Sequence, residues 1–277
     1  MTDTPGARRI VLCADDYGLS PAISRGIREL LSQRRLSATS CMVVYPEFAS
    51  DGPELRPFFD LADIGLHLTL TASRPLASLL RDGWLRRLDA REIREEVERQ
   101  IAAFTSIMGR PPTYIDGHQH VHLLPGVREA VTDVAHRIGA YVRLTCEPIN
   151  AAMLQRTAPI DSAYLSWVAR PLARLTQRLG VRTNRGFRGV RSFRERKRFR
   201  DLFGQMIANA ANGTIVMCHP GHVDGILKAR DSLTDAREEE FAYFAGDDFP
   251  GDLADAGLAL ARFEEALRDD PLSTAAA

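Results

Sequence analysis

The sequence predicts an α/β fold, a parallel β/α barrel of the TIM type that is distorted or built from seven to eight strands. Three observations carry that expectation. Short apolar runs alternate with helical stripes, as βαβ units require. Seven or eight such units fit into 277 residues. Several of the apolar runs also end in carboxylates or imidazoles, and in such folds the carboxyl ends of the strands gather the functional groups. A doubly wound open sheet is the alternative. No GxGxxG or GxxxxGK[ST] follows any strand, which disfavours its nucleotide-binding versions.

The elements follow in order. Ile10 to Ala14 is a continuous apolar run, as a strand buried on both faces would be, and it stops at Asp15-Asp16-Tyr17-Gly18. Ser20 and Pro21 suit the N-cap and first position of a helix whose stripe is Ile23, Ile27, Leu30 and Leu31. Thr39 to Tyr45 is a second strand candidate, with a short helix around Gly52 to Asp60, and Asp63 to Leu70 is a third, carrying His67. Thr71 to Leu88 lacks clean periodicity and reads as an inserted loop. Asp89 with Glu92 opens a capping-box helix to about Met108. Thr113 to His118 is a fourth strand, Pro125 to Gly139 a helix, and Tyr141 to Thr145 a fifth strand.

A helical insertion is expected over about 151–212. Within it Leu165, Val168, Leu172, Leu175 and Leu179 form an apolar stripe, Arg170, Arg174, Arg178 and Arg182 a basic one, and Pro171 must begin or kink the helix. Packing of this helix on its own domain is the favoured use, and lying on a membrane the alternative. A second helix spans roughly Ser192 to Ala211. Thr214 to His219 is a strand, Thr234 to Ala245 a helix, and Leu258 to Phe263 a last strand. The whole chain, 1–277, reads as one domain.

Composition narrows the function classes. The formal net charge is +0, so no global field recruits nucleic acid. Lys197 and Lys228 are the only lysines, which leaves a Schiff-base mechanism almost no nucleophile. The four cysteines (Cys13, Cys41, Cys146, Cys218) show no CxxC spacing and suit a reducing, cytoplasmic setting. No signal core and no transmembrane run is seen, so a soluble intracellular protein is expected.

The most informative stretch is Asp116-Gly117-His118-Gln119-His120-Val121-His122, which holds three of seven histidines. On an extended backbone Asp116, His118, His120 and His122 would share one face. Asp15 and Asp16, His67, Asp116 and His118, and His219 thus come from four separate strand ends to one rim. Two histidines and a carboxylate form a common mononuclear metal site with open positions. Of two adjacent carboxylates, one can hold the ion while the other takes a proton from attacking water, and His219 could protonate a leaving group.

Four motifs in order resemble the YdjC-like carbohydrate deacetylase family, which includes chitooligosaccharide deacetylases and hopanoid-biosynthesis-associated proteins. They are ADDYGLS from Ala14, GLHLTL from Gly65, DGHQHVH from Asp116 and CHPG from Cys218, with GFRG at Gly186 to Gly189 between the last two. The resemblance implies a barrel hydrolase that removes N-acetyl groups from amino sugars with one divalent ion, zinc or magnesium. By position it implies Asp16, His67 and His118 as metal ligands, Asp15 as general base, His219 as acid and Arg143 as the arginine that steadies the base. The simpler reading of Arg143 is surface pairing with Glu147. Tyr17 and His122 are expected near substrate; His120 has no firm role, and His136 and His222 read as surface histidines.

The run Arg185, Arg188, Arg191, Arg194, Arg196, Lys197, Arg198 and Arg200, offset only by Glu195, is a solvated helix face or, in the sharper reading, a site for a phosphorylated, nucleotide-linked or lipid-linked sugar. Arg188 is its candidate substrate contact. The 71–88 and 151–182 segments could cap the cleft or meet a second subunit in a homodimer. An amidohydrolase or phosphoesterase on the same barrel, or a non-catalytic sugar-binding relative, are the competing functions.

Overall fold

The computed structural model describes residues 6–147, 153, 157–192 and 197–268. Eight parallel strands form one sheet: β1 (Arg8–Tyr17), β2 (Ala38–Cys41), β3 (Asp63–Leu68), β4 (Tyr114–Gly117), β5 (Tyr141–Val142), β6 (Gly186–Arg188), β7 (Thr214–Cys218) and β8 (Leu258–Leu260). Their order is β5-β4-β3-β2-β1-β7-β6, with β8 paired to the start of β1. The two ends of this path meet. Val142 bridges Thr183, and the Asn184 amide accepts from Leu144 N at 2.7 Å while donating to Leu144 O at 2.8 Å and Gly186 O at 2.7 Å. One asparagine thereby ties the extension of β5 to the start of β6 and curls the sheet into a distorted TIM-like barrel.

Alternation along each strand sorts the side chains into two layers. Ile10, Leu12 and Ala14 of β1 join the larger apolar cluster, together with Ile64, Leu66, Ile115, Val142 and Val216 and the inward faces of the helices. Val11 and Cys13 join a second cluster with Ala38, Tyr114, Tyr141, Phe187 and Ile215. The second cluster is the barrel interior. Gly65 belongs to its lining: a methyl group there would strike the ring of Tyr114, which lies stacked on Tyr141. Phase alone then predicts that Asp15, His67, Asp116, Arg143 and His219, each in step with an interior residue of its strand, point into the barrel mouth.

The helices are α1 (Pro21–Ser32), α2 (Glu47–Asp51), α3 (Leu76–Trp84), α4 (Ala90–Met108), α5 (Val127–Ile138), α6 (Pro159–Leu179), α7 (Phe199–Ile207), α8 (Gly225–Arg230), α9 (Asp235–Ala245), α10 (Asp248–Asp255) and α11 (Phe263–Leu267), with a 3-10 segment at Gly52–Phe58. The expected caps form. Ser20 accepts from Ile23 N, and Asp89 accepts from Arg91 N and Glu92 N. Two expectations need correction. The 71–88 segment is not all loop, because α3 folds there by burying Leu79 and Gly83, too few positions to leave a periodic signature. The helix expected from Ser192 starts at Phe199, and 193–196 lie outside the described residues. Pro171 does not begin α6 but lies inside it, and the helix continues past it to Leu179. GFRG forms β6, a strand too short for its pattern to show.

One contact cluster bears directly on the site. Phe199 and Phe203 of α7, Tyr243 and Phe244 of α9 and Phe249 of α10 pack in edge-to-face and tilted pairs, with neighbouring ring centroids 5.1–6.1 Å apart. Each such pair adds about 0.5–1.5 kcal/mol beyond area burial. The cluster fixes α9 to the body of the protein and so aims two of its charged residues at the barrel mouth.

Candidate metal centre

β1 delivers two consecutive carboxylates to the same place, which plain alternation forbids. Asp15 points inward in step with Val11 and Cys13. Asp16 should face the helices, but its backbone is left-handed (φ 72) and the pairing register of β1 with β2 breaks between Ala14 and Tyr17. This bulge turns Asp16 back into the mouth. It also moves Tyr17 to the opposite layer. Tyr17 is fully buried in the helix-side core, donates to Asp51 O at 2.6 Å and accepts from Arg28 at 2.8 Å. The expectation that Tyr17 lies at the rim beside substrate is therefore corrected.

Asp16 Oδ1 lies 3.4 Å from His67 Nε2 and 3.1 Å from His118 Nδ1. The three donor atoms all lie within 4.8 Å of one another. A tetrahedral ion with ligands near 2.1 Å has ligand–ligand edges of about 3.4 Å, so the set fits a divalent cation. The surroundings fit too. Asp116 Oδ1 holds His67 Nδ1 at 2.6 Å, leaving Nε2 for an ion, in the carboxylate–histidine–metal arrangement common to such sites. The other oxygen of Asp16 is taken by Arg237 of α9 at 2.6 Å, and Arg237 also pairs with Asp231 at 2.7 Å.

Behind this set sits a buried, charged layer. The guanidinium of Arg143, fully buried, meets both oxygens of Asp15 at 2.7 and 2.6 Å and Asp116 Oδ2 at 2.6 Å. It also contacts Cys13 Sγ at 3.0 Å and Ser40 Oγ at 3.2 Å, and Ser40 donates to Asp116 at 2.6 Å. The surface pairing of Arg143 with Glu147 does not occur; Glu147 pairs with Arg188 instead.

These contacts set the protonation states. Burial works to raise the Asp15 carboxyl, but Arg143 and His67 outweigh it and hold Asp15 well below the usual carboxylate range. Asp16 is likewise favoured upward by burial and driven well below its ordinary value by Arg237 and the two imidazoles. Burial lowers the His67 imidazole, yet Asp116 and Asp15 lift it to about 10 without an ion. His219 is lowered, by burial first, with Asp16 opposing and Arg237 assisting.

The histidine-rich stretch does not stay extended. β4 ends at Gly117, and His118–Leu123 makes 3-10 turns with Gln119 (φ 51) and His120 (φ 58) left-handed. Asp116, His118, His120 and His122 therefore do not share one face. His118 reaches the metal group, whereas His120 packs against Phe187 and His122. His122 is fully buried, its Nε2 3.0 Å from Arg143 O, and its placement near substrate is corrected to one beneath the site. Burial presses both imidazoles down to about 3. His222 pairs with Glu29 on the surface.

Two cavities flank the metal group and share His118, Gln119 and His219. One, about 510 Å³, runs over Asp16, Tyr45, Arg230, Asp231 and Arg237. The other, about 350 Å³, is more apolar and runs over Asp15, His67, Tyr164, Leu165, Val190 and Met217. Of the two segments expected to cap the cleft, 151–182 contributes a wall through Asp161, Tyr164 and Leu165 of α6, whereas no residue of 71–88 lines either cavity. The described members of the arginine run do not form one patch. Arg185 donates to Leu267 O, Arg188 faces Glu147, Arg191 pairs with buried Glu240 at 2.7 Å, and Arg200 pairs with Asp248 and Asp252. Arg194, Glu195 and Arg196 lie outside the described residues.

Sequence reasoning missed Arg237 and Glu240. Glu240 accepts from His219 N at 2.6 Å and so sets the height of that imidazole. Both sit in Asp235-Ala236-Arg237-Glu238-Glu239-Glu240, a run that reads as a solvated helix face.

A family model described as YdjC-like protein matches residues 9–255. The chain belongs to the YdjC-like family. Proteins named chitooligosaccharide deacetylase from Yersinia pestis (strain Pestoides F) and Yersinia pseudotuberculosis serotype O:1b are each 27% identical to this YdjC-like chain over 232 residues, covering 79% of it and 83% of the relative. A crystal structure from Enterococcus faecalis V583, named provisionally for cellobiose-phosphate cleavage, superposes with a TM-score of 0.71 at 19% identity. That superposition covers 94% of this chain and 98% of the other and shows a common fold.

Proposed function

We propose that this YdjC-like protein is a metal-dependent carbohydrate deacetylase that removes an N-acetyl group from an amino sugar. One observation carries the reading: Asp16, His67 and His118 converge at ion-binding distance with Asp15 and His219 on the walls of the same cleft. The names of the Yersinia relatives support the substrate class. Two imidazoles and one carboxylate favour a borderline-soft ion such as zinc over magnesium.

When bound, the ion would polarise the acetamide carbonyl and acidify a nearby water. The chain does the rest. Arg143 clamps Asp15 in its ionised form and fixes its direction, so the carboxylate trades base strength for position as a proton acceptor. Arg237 occupies one oxygen of Asp16 and leaves the other turned to the imidazoles. His219, held neutral by burial and seated by Glu240, takes up a proton and hands it to the nitrogen as the C–N bond breaks. Water and amide are consumed; acetate and a free amine are released.

The experiment is acetate release from a panel of N-acetylated amino sugars, with and without chelator, for the native protein and Asp15→Asn. Chelator-sensitive release that the variant lacks, while still binding the ion, is expected. Equal release from the variant would remove Asp15 from its role, and no release from any sugar would remove the deacetylase reading.

A further inference from the structure

α6 packs Val168, Ala169, Leu172 and Thr176 against the body and leaves a second stripe bare. Ile160 is 82% exposed, Tyr164 49% and Trp167 56%. Arg174 and Arg178 continue the same stripe: at 3.6 residues per turn all five fall within an arc of about 80°. α3 extends the apolar end sideways. Trp84 stacks on Trp167 with ring centroids 6.2 Å apart, and the exposed Leu85, Arg86 and Arg87 follow it in the chain. Among the described residues no carboxylate lies at ion-pair distance from Arg86, Arg174 or Arg178. Tyr164 joins this surface to the apolar lobe of the cleft.

We propose that the exposed face of α6 and the end of α3 dock on an anionic lipid surface, with Trp84, Leu85, Ile160, Tyr164 and Trp167 entering the interface and Arg86, Arg174 and Arg178 meeting its headgroups. Tryptophan, tyrosine and isoleucine beside unpaired arginines are the composition of a helix lying in a membrane interface. A sugar ligand would not call for exposed Ile160 and Leu85. A second copy of the chain fits poorly, because paired stripes would set arginine against arginine or against the apolar half. Docking here would open the apolar lobe towards the lipid. The proposal does not depend on turnover.

The two tryptophans of the chain, Trp84 and Trp167, both lie in this surface, so intrinsic fluorescence reports it directly. The protein is titrated with vesicles of equimolar phosphatidylcholine and phosphatidylglycerol, and with phosphatidylcholine alone. The expected result is a blue shift and co-sedimentation with the mixed vesicles only, weakened by salt. Each surface arginine is worth about a five-fold change in partitioning, so Arg174→Glu with Arg178→Glu should cut binding by about twenty-five-fold or more. Ile160→Asp should weaken it as well; this side chain is too exposed for its loss to disturb folding, which circular dichroism checks. No shift with mixed vesicles, equal binding to both lipids, or a dimer in light scattering that Ile160→Asp dissociates would each overturn the proposal.

Discussion

Arg143→Met tests the charged layer beneath the cleft. In the native protein one guanidinium compensates two buried carboxylates, Asp15 and Asp116. Removing one partner of a buried pair costs about 3–5 kcal/mol. Asp116 would keep Ser40 and His67, so most of the loss falls on Asp15, left with longer contacts to Ser40 at 3.4 Å and Cys13 at 3.5 Å. A typical domain has about 5–15 kcal/mol in hand, so the variant should fold but weakly. The pH dependence is more diagnostic. Native Asp15 has a carboxyl below its unfolded value, so its stabilisation is present above about pH 4 and lost as pH falls. Without Arg143, burial dominates and the folded carboxyl rises above the unfolded one. The folded state then holds the extra proton, and stability falls as pH rises, by up to about 1.4 kcal/mol per unit. His67 remains as a partial counter-charge, so the slope should lie under that limit. Urea unfolding followed by circular dichroism, in chelator at mildly acidic and neutral pH, measures both quantities. A cost below about 1 kcal/mol, or a variant that gains stability with rising pH, would refute the reasoning.

Three further outcomes are expected. Because Asp116 and Asp15 keep His67 protonated up to about 10, ion binding at neutral pH must expel that proton. Apparent affinity should climb about ten-fold per pH unit below that value, and calorimetry in buffers of different ionisation heat should show net proton release. Glu240→Ala removes the acceptor of His219 N and the buried partner of Arg191, costing about 3 kcal/mol or more and depressing acetate release. Glu240→Gln should restore release further than stability, read by paired assays and thermal melts. Gly189 sits at φ +103, where a methyl group would collide with the backbone of Met217; Gly189→Ala should lower the unfolding free energy by about 2 kcal/mol or more, read from urea titration.

Much of the architecture was legible because strands advertise their phase. Once Ile10 to Ala14 is read as a strand, Asp15 must be an interior residue, and the same step applies to His67, Asp116, Arg143 and His219. What failed were places where the backbone leaves that rhythm. The bulge at Asp16 sends Tyr17 to the wrong layer, and left-handed Gln119 and His120 scatter a row of histidines that alternation would align. Neither event has a glycine to announce it. Arg237 and Glu240 were hidden for another reason. Their burial comes from the loop that swings α9 across the barrel mouth and from the aromatic cluster that holds it there, and local sequence carries no record of either. α3 was missed because a helix that buries Leu79 and Gly83 alone casts too faint a pattern.

The origin of each wall of the cleft has its own consequence. The three candidate ion-binding side chains and the arginine beneath them come from β1, β3, the chain just past β4 and the chain just past β5, all on one arc of the barrel. The two lobes are finished by α6, the chain just past β6 and the α8–α9 connection, from the opposite arc or outside it. Reagent and fitting are thus separable parts. Exchanging the lobe-forming segments among relatives should retune which sugar is admitted while leaving the reactive centre untouched, which makes this side of the barrel the place to begin re-engineering selectivity.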